Sequence, residues 1–137
     1  MNTKQWVVGT VGGAVVLFAV GYVIFELLLK DFYAANSGTA TGVYREAQIV
    51  WAVAVGALAY AALILYALRA NVASVSVASG AKVGATVGFL IWLCADFTLY
   101  GISNINTLTL AIVDPLVELV RGGITGAAVA VLLRKLG

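Results

Sequence analysis

The stretch Asp114-Pro115-Leu-Val-Glu118-Leu-Val-Arg121-Gly-Gly-Ile-Thr125-Gly-Ala-Ala-Val-Ala-Val-Leu-Leu133 decides how this chain folds. It is long and apolar enough to cross a bilayer core of ~30 Å as a helix rising ~1.5 Å per residue. Yet Asp114, Glu118, Arg121 and Thr125 recur in it at helical spacing, so all four fall on one face. A charged side chain in lipid costs about 2.5–3.5 kcal/mol even on the mildest insertion scales. Such a stripe therefore faces the protein interior or a watery cavity. The segment reads as a membrane helix whose polar face is turned into a bundle.

Three further apolar runs supply that bundle: Gln5–Leu29, Ala47–Leu68 and Gly80–Tyr100, with Pro115–Leu133 as the fourth. The chain has 137 residues, 63% hydrophobic and 10% charged, and a mean hydropathy of +1.06. Soluble domains carry about a quarter charged residues. The expected fold is an all-α integral membrane four-helix bundle, with residues 1–137 forming a single four-span domain. Lys4, Arg69, Lys82, Arg134 and Lys135 lie on one side of the spans, and only Lys30 and Arg45 on the other. The positive-inside rule places both termini in the cytoplasm. The first run is preceded only by Lys4 and lacks a small-residue cleavage site, so it reads as a retained helix.

The fourth span has two readings. Asp114-Pro115 suits an N-cap followed by proline at the first helical position, which makes Asn104–Val113 a separate apolar connector. Alternatively the helix begins near Thr107 and kinks at Pro115. The first reading is preferred, and it sets Glu26, Asp96 and Glu118 at similar depths.

Glycine and charge are segregated. Gly9 and Gly13, Gly122 and Gly126, and the series Gly80, Gly84, Gly88 all fall in the cytoplasmic halves of their helices. Small residues four apart let helix backbones approach closely, the usual means of contact where lipid removes a hydrophobic drive. Ala52, Gly56 and Ala59 give the second helix a comparable face. These seams can serve within one chain or between chains, so a homo-oligomer or a larger membrane complex stays open.

The six carboxylates, Glu26, Asp31, Glu46, Asp96, Asp114 and Glu118, all fall toward the outer ends of the spans. Tyr22, Glu26 and Lys30 share a face of the first helix, and Trp92, Asp96 and Tyr100 a face of the third. The candidate ligand-binding residues are accordingly Glu26, Asp96, Tyr100, Asp114, Glu118 and Arg121. Arg121 stays charged and requires an anionic partner or water. Glu118 on its own helix and Asp96 on another are the expected partners, meeting in the outer half of the bundle. Lys30, Asp31, Arg45 and Glu46 read as interfacial charges. Trp6, Tyr33, Tyr44 and Trp51 read as aromatic-belt residues without a special role.

Tyr100-Gly-Ile-Ser-Asn104-Ile-Asn-Thr-Leu108, followed by Val113-Asp114, with Phe32-Tyr33 and Gly38 earlier, resembles a motif of one particular family. These are small four-helix bacterial inner-membrane proteins that carry a Tyr-Asp-Leu-Thr-Asn-Leu-Ala-Thr-Leu-like stretch after the third span and a Val-Asp before the fourth. Gly101 stands where that family has an aspartate, and Asp96 lies one turn earlier. The resemblance implies a four-span topology and a bacterial inner-membrane location. The family has no assigned activity, so it implies none here.

Several classes of function are excluded or disfavoured. The chain has no histidine, one cysteine (Cys94) and a net charge of +2. That rules out an internal disulfide, removes the commonest transition-metal ligand, and leaves too little charge for a nucleic-acid partner. No cofactor-binding or metal-ligand spacing is present, so neither is expected. The leading reading is a protein whose partner is the lipid bilayer and whose outer polar site binds or transports a small cation, amine, proton or lipid headgroup. A structural or accessory subunit of a larger membrane complex is second. A small enzyme using Asp/Glu acid–base chemistry is third.

Overall fold

Each apolar run forms a helix, because a backbone surrounded by hydrocarbon side chains satisfies its N–H and C=O groups most completely within its own segment. In the computed structural model, which describes residues 1–137, α1 (Thr3–Gly21) continues through a π-helical stretch, Tyr22–Leu28. A short α2 (Lys30–Asn36) follows. α3 (Val50–Leu68) runs into a 3₁₀ turn at Arg69–Ser74, and α4 (Val77–Ile102) and α5 (Leu108–Leu136) complete the chain. The fold is all-helical. Four helices, Thr3–Leu28, Val50–Ser74, Val77–Ile102 and Leu108–Leu136, are long and apolar enough to cross a membrane. Met1 and Trp6 pack on a core that includes Ile64, Leu65, Val129 and Leu133, so both termini lie at one end of the bundle.

At this end the helices meet through absent side chains. A β-carbon on Gly84 would fall on the Gly122 carbonyl and lie 2.8 Å from the Gly126 Cα. One on Gly80 would strike the Gly126 carbonyl. These obstacles are backbone, so the antiparallel α4–α5 pair depends on the glycines. α1 packs through Gly13, where a β-carbon would be 3.0 Å from Ala61 and from Val129.

Two expectations are corrected. The small face of α3 is Ala57 and Ala61, both buried, rather than Ala52, Gly56 and Ala59. The register is set by Ile64, Leu65 and Leu68, which are buried in the core and turn the positions one helical repeat earlier inward with them. A β-carbon added at Gly56 would meet nothing within 4 Å. Second, α5 begins at Leu108, with the Thr107 hydroxyl accepting from Leu110 N at 3.2 Å as its N-cap. Asp114 is not a cap, and Pro115 lies inside the helix. The apolar residues after Thr107 continue the helical pattern, and a proline within such a helix is tolerated where neighbours cover the freed carbonyl.

α1 packs against α3 and α5, and α5 against α4 along most of its length, while α3 scarcely touches α4. The bundle is therefore open on one side. At the far end, α2 and the residues after it fold over the α4–α5 turn. Gly38 N donates to the Ile105 carbonyl at 2.9 Å and Ala40 N to the Asn104 carbonyl at 3.0 Å. The Thr107 hydroxyl donates to the Asn36 carbonyl at 2.7 Å. Gly38 is required by this approach, because a β-carbon there would fall on the Asn104 carbonyl.

Candidate functional site

The polar face of α5 is turned inward, as the spacing of its residues requires. Glu118 and Thr125 have no exposed surface, and Asp114 is buried. Arg121 Nη1 donates to Glu118 at 2.8 Å. Its Nε and Nη2 donate to the Leu17 carbonyl of α1 at 3.2 and 2.9 Å. The guanidinium occupies space left by Gly21, where a β-carbon would lie 2.9 Å from Nη2. The Phe25 ring centroid is 5.4 Å away. A guanidinium has five donors in a planar fork, which lets one side chain neutralise Glu118 and tie α5 to α1 together. The Tyr60 hydroxyl of α3 donates to the other Glu118 oxygen at 3.3 Å, so three helices meet at this ion pair.

A second set of contacts lies closer to the far end. The Tyr33 hydroxyl of α2 donates to Asp114. Burial, followed by this hydrogen bond, holds the Tyr33 phenol well above its ordinary pKa, so it remains a donor. The Asp114 and Asp96 carboxyl groups are neighbours. Asn106 Nδ2 donates to the Asp96 backbone carbonyl at 3.3 Å. Asp96 Oδ2 and Asn106 Oδ1 are buried without a partner.

Beside these contacts is a cavity of about 710 Å³, lined by α1 and its π-helical extension, α3, α4 and Arg121. Phe18, Tyr22, Phe25, Tyr60 and Trp92 give it aromatic walls, and Glu26 and Gln48 contribute polar groups. It fills the gap that arises because α3 and α4 diverge. Gly56, with open space where a β-carbon would be, is part of its wall. The Leu29 N–H reaches back five residues to the Ile24 carbonyl at 2.8 Å, and such π-helical turns are frequent at functional sites.

The six sequence-derived residues thus separate in space. Glu118 with Arg121 and Asp96 with Asp114 form two pairs. Glu26 is partly exposed at the cavity, 3.7 Å from Lys30. Tyr100 is exposed and lines neither feature. The expected pairing of Arg121 with Asp96 is not made: Arg121 pairs with Glu118, and Asp96 contacts Asp114. Asp114 is a buried hydrogen-bonding residue rather than a cap. Three participants lay outside the sequence reading. By sequence Tyr33 reads as an aromatic-belt residue. Tyr60 interrupts an otherwise apolar stretch from Ala52 to Leu65, a signal that could have found it. Asn106 is an amide in an apolar connector, which is a comparable signal.

Tyr33 lies against Asp114, and Gly38 against Asn104. No family model matches the chain, and no curated protein or solved structure is significantly similar to it.

Proposed function

We propose that this chain is a multi-pass protein of the bacterial inner membrane, with both termini cytoplasmic, that binds an amphiphilic amine drawn from the outer leaflet. The observation that carries this reading is the cavity of about 710 Å³, which lies where α3 and α4 part. Cavities of this size accommodate drug-sized ligands and are typically apolar with a few placed polar groups. Aromatic faces attract cations, and Glu26 provides a carboxylate beside them. Arg121 does not oppose a cationic head strongly, because Glu118 neutralises it.

Binding can be followed by fluorescence of Trp92 in a Trp6→Phe, Trp51→Phe background, with the protein in nanodiscs and a long-chain alkylamine as titrant. Saturable quenching is expected. Gly56→Leu should abolish it by filling the cavity, and Glu26→Gln should weaken it. Identical titrations for the parent and Gly56→Leu would sink the reading.

A structural role in a larger assembly is supported by one separate observation. The Arg121–Glu118 pair is satisfied within the chain and braces three helices, which is what a purely structural network would do. On that reading, mild-detergent extraction yields a stoichiometric complex that Trp51→Ala, on the exposed face of α3, disrupts.

A further inference from the structure

The far end of the bundle holds more buried negative charge than its cations neutralise. Asp96, Asp114 and Glu118 are all more than nine-tenths buried. Arg121 is paired with Glu118, and the chain's other ion pair, Lys30 with Glu26, is solvent-exposed. Neither pair includes Asp96 or Asp114. These two carboxyl groups lie against each other. Ionised carboxylates are acceptors only, and two of them sharing a site repel. The contact is favourable when a proton lies between them.

Asn106 supplies an independent observation. It is 7% exposed, and its Nδ2 is committed to the Asp96 backbone carbonyl. That bond fixes the amide orientation and leaves Oδ1 buried with no donor, as Asp96 Oδ2 also is. Buried acceptors in native proteins are almost always satisfied. The hydroxyls of this end are spent elsewhere: Tyr33 on Asp114, Thr107 on the Asn36 carbonyl and Ser103 on the Leu99 carbonyl. No three metal-ligating side chains of the His, Cys, Asp or Glu type converge. A site with surplus acceptors, like charges and no coordination shell calls for a proton.

We propose that Asp96 and Asp114 form a binding site for one exchangeable proton, covered by Tyr33 and flanked by Asn106. The groups facing it are Tyr33 from α2, Asn106 from the α4–α5 turn, and Asp114 and Glu118 from α5. Tyr60 of α3 and Arg121 act on Glu118. Loss of the proton would leave two adjacent like charges beneath α2 and loosen its docking on the α4–α5 turn. The site stands independently of any ligand in the cavity, and its test uses none.

The full chain in nanodiscs is measured by infrared spectroscopy near neutral pH, in H₂O and D₂O. The expected result is a carbonyl stretch of a protonated carboxyl, shifted by deuterium, lost in Asp96→Asn and in Asp114→Asn, and kept in Asp31→Asn. Should the Asn variants fail to fold, the parent alone decides: alkaline titration should bleach the band reversibly, and potentiometry should count one proton released per chain as it does. A folded parent without the band, or a band surviving in both Asn variants, overturns the proposal. So does a band displaced by Na⁺ but not by choline, which would assign the site to a metal cation.

Discussion

At the end that carries the termini, α4 and α5 touch backbone to backbone through Gly80, Gly84, Gly122 and Gly126. At the far end the helices are held by side chains: Arg121 on the Leu17 carbonyl, Tyr60 on Glu118, Tyr33 on Asp114. The first arrangement leaves no room for a ligand and has no partners to exchange. The second keeps helices apart, leaves a cavity between α3 and α4, and rests on polar bonds that can be remade. Close packing and interhelical hydrogen bonds are two means by which long apolar helices associate. This chain uses them at opposite ends.

The largest expected effect is at the glycine seam. Gly84→Leu must push α5 away, because its obstacles are backbone atoms of Gly122 and Gly126. Overpacking costs about 1–3 kcal/mol where neighbouring side chains can yield; here only backbone atoms stand in the way, so the loss should exceed that range and also the ~3–5 kcal/mol of a broken buried ion pair. Thermal unfolding in detergent should show a large loss of stability, and a parent-like transition would mean the two helices are not held by this contact.

Next is the ion pair. Glu118→Leu strands a partly buried guanidinium, and breaking a buried pair costs about 3–5 kcal/mol. Glu118→Leu with Arg121→Met removes both charges and should recover most of that loss, as apolar replacements of buried pairs often do. If the double variant is as unstable as the single, the Leu17 carbonyl contact matters more than the charge.

Tyr33→Phe should have a smaller effect, about 1–3 kcal/mol, the usual cost of leaving a buried acceptor unsatisfied. It should also be local, appearing as faster amide exchange at Gly38 and Ala40, whose N–H groups bond the α4–α5 turn. Unchanged exchange there would show that the α2 cap is held without the Tyr33 hydroxyl.

The smallest effect on stability is expected at Gly56→Leu. Its new side chain enters open space, and replacing a helical glycine gains up to ~1 kcal/mol in propensity. A marked destabilisation would show that α3 and α4 close on each other, contrary to the gap between them.

Much of this contrast was legible in the sequence. Period-four glycines and the Asp114, Glu118, Arg121, Thr125 stripe are properties of single helices, and helical geometry fixes which residues share a face. The seams of α1, α4 and α5 and the inward turn of the α5 stripe followed from that geometry. Where the reading failed, the deciding contact lay on another element. Local spacing allows the Ala52, Gly56, Ala59 face, but burial of Ile64 and Leu65 sets the rotation of α3 and turns Ala57 and Ala61 inward. Asp114-Pro115 satisfied the local rules for a helix start, but a hydrogen bond from Tyr33, eighty-one residues away in sequence, gives Asp114 its place.

The amino-acid sequence by itself determined four apolar helices, a glycine-rich half and a polar half, because hydropathy and spacing act within one segment. Tertiary structure alone decided which acid meets which base, that Arg121 takes a backbone carbonyl in place of Asp96, that α2 covers the carboxyl pair, and that a cavity opens between α3 and α4. Those outcomes depend on helix rotation and separation, which are set jointly by all the packed side chains rather than by any one of them.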